Sequence, residues 1–170
     1  MADGKMDAIA LLKADHRKVE DLFESFEGAR GADRKAKIAQ EICLELTVHT
    51  EIEEKIFYPA CEGAVVKDLL DEAYVEHDSA KVLMAEIEAG GPDEEFYDAK
   101  VHVLGEMIEH HVEEEEKRAE GMFAQARRAG LDMDALGMEM AARKVELIAE
   151  YEANGLPRLE TTTLKTASAG

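Results

Sequence analysis

The strongest constraint on this chain is a pair of polar motifs lying where a helix should be apolar. Among the histidines followed four residues later by a glutamate, two stand on stripes of apolar residues, in His49-x-x-x-Glu53 and His111-x-x-x-Glu115, 62 residues apart. Residues four apart sit one turn along the same helix face. Ile38, Ile42, Leu46, Ile56 and Phe57 share the first face, and Phe96, Val101, Leu104, Ile108 and Met122 the second. Two further histidines fall on apolar stripes: His16 in phase with Leu12, Val19 and Phe23, and His77 in phase with Leu70, Ala73 and Met84.

These stripes read as amphipathic helices. The first runs from Asp7, a candidate cap, to about residue 27, and the second from about 34 to 57, ended by Pro59 and Gly63. The third runs from about 65 to 89, closed by Gly90-Gly91-Pro92, and the fourth from about 93 to 128, closed by Gly130. A fifth stretch over about 133–153 has one apolar face through Met138, Ala141, Val145 and Ile148. Residues 154–170 have no periodicity and read as a disordered tail. No stretch alternates like a strand. The expected fold is all-α: an antiparallel up-down four-helix bundle with an additional C-terminal helix, residues 1–153 forming one domain.

A buried carboxylate or histidine without a partner is costly, so two glutamates and four histidines on inward faces need a reason. A dinuclear metal site supplies one: carboxylates bridge two ions, imidazoles fill terminal positions, and the cations offset the anions. The intervals support a paired arrangement, since His16 to His49 is 33 residues and His77 to His111 is 34. His110 points about 100° away from His111, and the phase of Leu104 and Ile108 favours His111 as the inward residue.

The pattern resembles the hemerythrin-like (HHE cation-binding) domain over about residues 8–128. The residues that carry the resemblance are Asp15-His16, His49 with the run Glu53 to Pro59, Glu76-His77, and the run His110 to Glu116. The resemblance implies two non-haem iron ions with a bridging oxo or hydroxo group. His16 and His49 would serve one ion and His77 and His111 the other, with Glu53 and Glu115 bridging. Manganese or zinc would suit the same donors. Oxygen-carrying hemerythrins have a fifth histidine one turn from the one in the third helix, but here those positions are Ala73 and Lys81. An open position beside His77 is therefore expected, with Tyr74, Glu76 or a neighbouring carboxylate as candidate replacements. Tyr74, Glu54 and His110 are candidates for outer groups that steady the ligands, while Tyr58 reads as a core aromatic.

The function expected from this site is binding or sensing of a small diatomic ligand, O2 or NO, in an apolar pocket lined by Leu12, Leu46, Ile108 and Val112. An oxidoreductase consuming peroxide or NO is the alternative. Iron storage or delivery ranks third, because the Glu-x-x-His of ferritin-like sites is absent. No HExxH of a zinc hydrolase occurs either. A net charge of −19 repels nucleic acid phosphate and anionic membranes. Cys43 and Cys61 form no CxxC and read as free thiols in a reducing compartment, and the first residues lack a secretory pattern, so a cytoplasmic monomer or weak homodimer is expected.

Overall fold

The computed structural model describes residues 6–165. Asp7 caps α1 (Ala8–Glu27), its carboxylate accepting from the Ala10 N–H at 2.8 Å. α2 (Ala32–Ile52) passes into a π-helical turn (Glu53–Phe57) and the short α3 (Tyr58–Cys61). Then come α4 (Lys67–Ala89), α5 (Tyr97–Glu116), the short α6 (Met122–Arg128) and α7 (Met133–Asn154). There is no strand among the described residues. α1 packs on α2, α2 on α4, α4 on α5, and α5 back on α1. This closed ring with short connections makes the expected bundle. α7 lies across α1 and α2. The crossing is close because a Cβ at Gly137 would come within 2.6 Å of the Met6 carbonyl and 2.8 Å of the Ala8 nitrogen.

Three segments depart from the sequence reading. The second helix continues past residue 57 to Cys61, because its apolar face is carried through the wider π turn. Pro59, which has no N–H to give, falls in the first turn of α3, where proline is tolerated. The fourth helix is broken at Lys117–Gly121, so α6 is a separate element. A Cβ at Gly121 would lie 2.6 Å from the Lys117 carbonyl and 2.8 Å from that of Glu115, so the tight reversal requires glycine there. Periodicity alone runs straight through this break, because Met122 and Phe123 are as apolar as a continued helix would demand.

The third departure is the tail, where residues 155–165 are non-helical but anchored. The fully buried Asp78 accepts from Thr162 N (2.8 Å), Thr163 N, Thr163 Oγ1 (2.6 Å) and Leu164 N (2.9 Å), while Leu156 and Leu159 pack on the core. The expectation of a disordered tail therefore does not describe these residues; 166–170 lie outside the described residues.

The apolar core has two parts. One gathers Leu12, Ile52, Phe57, Met122, Phe123, Met140 and Leu147, and the other Val19, Ile42, Leu46, Met84, Val101 and Leu104. The buried histidines and glutamates lie between them: His16 stacks on Phe123 of the first, with ring centroids 5.9 Å apart, and Val19, Leu46 and Met84 of the second border the histidine rings. No helix among the described residues is long and apolar enough to cross a membrane.

Candidate metal centre

The bundle brings all six sequence-selected residues to one buried place: His16 from α1, His49 from α2, Glu53 from the π turn, His77 from α4, and His111 and Glu115 from α5. Glu53 and Glu115 are 0% and 1% exposed, so water does not solvate their charge. The ring atoms meet in pairs, His16 Nε2 to His49 Nε2 at 3.2 Å and His77 Nε2 to His111 Nε2 at 3.1 Å. Each glutamate gives one oxygen to each pair. Glu53 Oε1 is 3.2 Å from His49 Nε2 and its Oε2 is 3.1 Å from His77 Nε2. Glu115 Oε2 is 3.2 Å from His16 Nε2 and its Oε1 is 3.4 Å from His111 Nε2. The donor atoms thus form two adjoining groups, each compact enough to hold a metal ion.

The far nitrogen of each ring explains why the near ones converge. His16 Nδ1 lies 2.8 Å from Glu116, His49 Nδ1 3.3 Å from Asp15, His77 Nδ1 3.1 Å from Glu54, and His111 Nδ1 2.6 Å from Glu76. A ring that donates from Nδ1 to a carboxylate turns its Nε2 lone pair toward the centre. These carboxylates follow a rule around the ring of helices. Each adjoins a ligand in sequence but is turned by about 100°, so it reaches the histidine of the next helix: Asp15 of α1 holds α2, Glu54 of the π turn holds α4, Glu76 of α4 holds α5, and Glu116 of α5 holds α1. Three are backed by a cation: Lys144 on Asp15, Lys81 on Glu54 at 2.8 Å, and Arg17 on Glu116 at 2.9 Å.

The electrostatics demand positive charge. Burial alone would lower the His49 ring, but Glu53 and Asp15 raise its pKa to about 10. Burial is outweighed in the same way at His16 by Glu115 and Glu116, and at His111 by Glu115, Glu53 and Glu76. Burial would raise the carboxyls, yet His49, His111 and His77 hold Glu53 low, and His111 and His16 hold Glu115 low despite its neighbour Glu53. Protons and metal cations compete for this demand. Glu53 Oε1 and Glu115 Oε2 nevertheless have no hydrogen-bond partner, although both are buried. Two orphaned carboxylate oxygens facing two ring nitrogens are what a cation would satisfy, so the donor set fits a metal.

One member of the site was missed in the sequence. The Tyr58 hydroxyl is 2.8 Å from Glu115 Oε1, 3.0 Å from Glu53 Oε2, 3.1 Å from His77 Nε2 and 3.3 Å from His111 Nε2. The π turn puts it there. In an α-helix, Glu53 and Tyr58 would point about 140° apart, but here the Tyr58 N–H bonds to the Glu53 carbonyl five residues back and stacks the two side chains. Burial and the charges of Glu115 and Glu53 push its phenol well above the usual tyrosine range. Tyr74, the sequence candidate, instead packs edge-on against the Tyr58 ring at 5.3 Å. Glu54 lies against the His77 ring, Glu76 holds a ring without facing the centre, and His110 is exposed on the outer side of α5. Beside the four histidines lies a cavity of about 20 Å³, bordered by Val19, Leu46, Ala80, Met84, Ile108 and Val112. Leu12 is not among its walls; it belongs to the core on the other side of the centre.

Comparison with known proteins agrees with this fold. The solved structure of a hemerythrin HHE cation binding domain-containing protein from Mycobacterium kansasii superposes with a TM-score of 0.73, covering 88% of this chain and 94% of that one at 22% identity. A curated protein from Nostoc sp., named a DNA nickase, is 27% identical over 106 residues. The match takes in 62% of this chain but only 30% of that protein, so the chain corresponds to about a third of its length. The model of the hemerythrin HHE cation binding domain matches residues 7–123, the stretch that contains His16, His49, Glu53, His77, His111, Glu115 and Tyr58. The chain belongs to the hemerythrin HHE cation-binding domain family.

Proposed function

We propose that this chain is a non-haem di-iron protein that binds a small diatomic ligand, O2 or NO. The observation that carries the reading is the pairing of four Nε2 atoms around two carboxylates, with each carboxylate contributing one oxygen to each pair. His16, His49, Glu53 and Glu115 would hold one ion, and His77, His111, Glu53 and Glu115 the other. Bound iron would supply the redox-active position at which such a ligand is held.

Tyr58 deepens this reading. In an octahedral set with bonds of about 2.1 Å, neighbouring donors lie about 3.0 Å apart. The Tyr58 oxygen is 2.8–3.3 Å from four donor atoms of the His77 half. It would therefore serve in place of the absent fifth histidine, where a bound cation's charge would oppose the preference of this buried phenol for its proton. The His16 half has no such hydroxyl beside it and contains the two unpartnered carboxylate oxygens, so this reading puts the open position there. The cavity is small enough to admit about one water-sized or diatomic guest and little else, and its apolar wall excludes bulk water.

Strand nicking, the activity named for the Nostoc relative, does not transfer to this reading, because the shared part is a minority of that protein and a −19 chain repels phosphate. Peroxide or NO consumption remains the second reading, favoured by a buried phenol beside the two carboxylates.

The test is anaerobic loading with Fe2+ followed by titration with NO and, separately, with O2. The expected result is an absorption change that saturates at one NO per chain, and a near-ultraviolet oxo-to-iron band after O2. Absence of retained iron, or iron that answers neither gas, overturns the proposal. Catalytic loss of hydrogen peroxide by the loaded protein would move the assignment to the second reading.

A further inference from the structure

Three of the four carboxylates that hold the histidine rings are neutralised from outside by a lysine or arginine, and the fourth is not. Glu76 grips His111 through Oε2 at 2.6 Å, and its other oxygen faces the exposed His110, Oε1 to Nε2 at 3.4 Å. No lysine or arginine pairs with Glu76 among the described residues. Instead Glu72, one turn earlier on α4, brings a second carboxylate to the same point. One donor atom from each of Glu72, Glu76 and His110 lies within 4.8 Å of the others. Two carboxylates and an imidazole are thus gathered where the other three corners of the bundle have a cation of their own.

We propose that Glu72, Glu76 and His110 form a third, solvent-open site for a borderline divalent transition ion of the Zn2+ or Co2+ type. The donor chemistry is mixed nitrogen and oxygen, which suits such an ion better than Ca2+ or Mg2+. Tetrahedral donors at about 2.1 Å from an ion lie about 3.4 Å apart; His110 and Glu76 are at that separation, and a Glu72 oxygen lies within 4.8 Å of both. Three protein donors leave the remaining position to water. The helix register builds the site, because His111 points inward and His110, about 100° around, turns toward the α4 edge where Glu72 and Glu76 are aligned four residues apart.

The site is coupled to the buried centre through one carboxylate. An ion on Glu76 Oε1 withdraws charge from Oε2 and weakens its hold on the His111 Nδ1 hydrogen, which makes His111 a slightly poorer donor. A bound ion would place there the positive charge that Lys144, Lys81 and Arg17 place at the other three carboxylates. The proposal does not depend on which metal occupies the centre.

The test uses untagged protein whose buried centre has first been saturated with metal and freed of excess. Zn2+ is titrated by calorimetry and Co2+ by visible absorption. The expected result is one further equivalent per chain, with a nitrogen-ligated Co2+ spectrum. His110→Ala and Glu72→Gln should each weaken that equivalent by at least about tenfold, the size of an outer-shell loss or more, while metal analysis monitors the centre in each variant. No further equivalent, or one that survives both substitutions at unchanged affinity, overturns the proposal.

Discussion

His16 and His49 face two carboxylate oxygens that have no hydrogen-bond partner, Glu115 Oε2 and Glu53 Oε1, whereas the oxygens opposite His77 and His111 lie within reach of the Tyr58 hydroxyl. The supports behind the halves differ as well. His49 is braced through Asp15 by Lys144 of the added helix α7. His77 is braced through Glu54 by Lys81, which also lies 3.5 Å from Asp78, the anchor of the tail. The two His-x-x-x-Glu motifs are alike, and the segments on their C-terminal sides make the centre asymmetric. After Glu53 the helix widens and returns Tyr58 to the site; after Glu115 it breaks at Gly121 and sends Phe123 to stack on His16. One half meets a polar donor and the other an aromatic face, and the proposed function puts the open position in the second.

The comparison can be broken most severely at the shared carboxylates. Glu53→Ala removes a donor from both halves, so metal analysis after reconstitution should find both ions lost, with the helical circular dichroism retained. Two ions per chain in this variant would mean that Glu53 does not bridge. Tyr58→Phe should act on one half only. Metal content should stay at two per chain, a visible phenolate-to-iron band should disappear, and NO stoichiometry should rise from one toward two as the His77 half opens. Unchanged spectra would return Tyr58 to the role of a core aromatic.

Smaller effects should come from the carboxylates that hold the rings. Asp15→Asn and Glu54→Gln should each lower metal affinity by about 10–100-fold in chelator competition, with the loss falling on the half each one braces. Equal loss from both halves would erase the distinction between their supports.

The smallest effect concerns the tail. Burial would raise the Asp78 carboxyl, but hydrogen bonds from Thr163, Thr162 and Leu164 lower it from its ordinary 3.8 to about 2. A carboxyl depressed on folding stabilises the fold above its unfolded pKa, and that contribution is lost as pH falls through the folded value. Asp78→Asn should therefore cost on the order of 1–2 kcal/mol above about pH 4, and the gap from the parent chain should close by about pH 2. A gap that does not change with pH would show that the tail is not held by this charge.

Much of this architecture is legible in the sequence. The 3.6-residue period places the long helices, and histidines and glutamates on apolar stripes mark the six residues found together in the bundle. The features that escape have local causes. Tyr58 stands five residues from Glu53, a spacing that reads as the wrong face unless a π turn is foreseen, although Pro59 directly after it hints at irregular helix. Asp15 and Glu116 look like solvated charge and Glu76 like a candidate metal ligand, because each adjoins a ligand in sequence while pointing elsewhere; their signal is that acidic neighbours flank ligands on every one of the four helices. The break at Gly121 is hidden because Met122 and Phe123 resume an apolar face directly after it. The tail carries no period because its order comes from hydrogen bonds to Asp78 and from two leucines on the core.

The most direct test of the shared-carboxylate account is Mössbauer spectroscopy of the 57Fe-reconstituted protein, with iron counted per chain. The account predicts two irons per chain that are magnetically coupled in the oxidised state and unequal in their quadrupole doublets, since one half carries Tyr58 and the other does not. One iron per chain, or two uncoupled ferric ions, would contradict it.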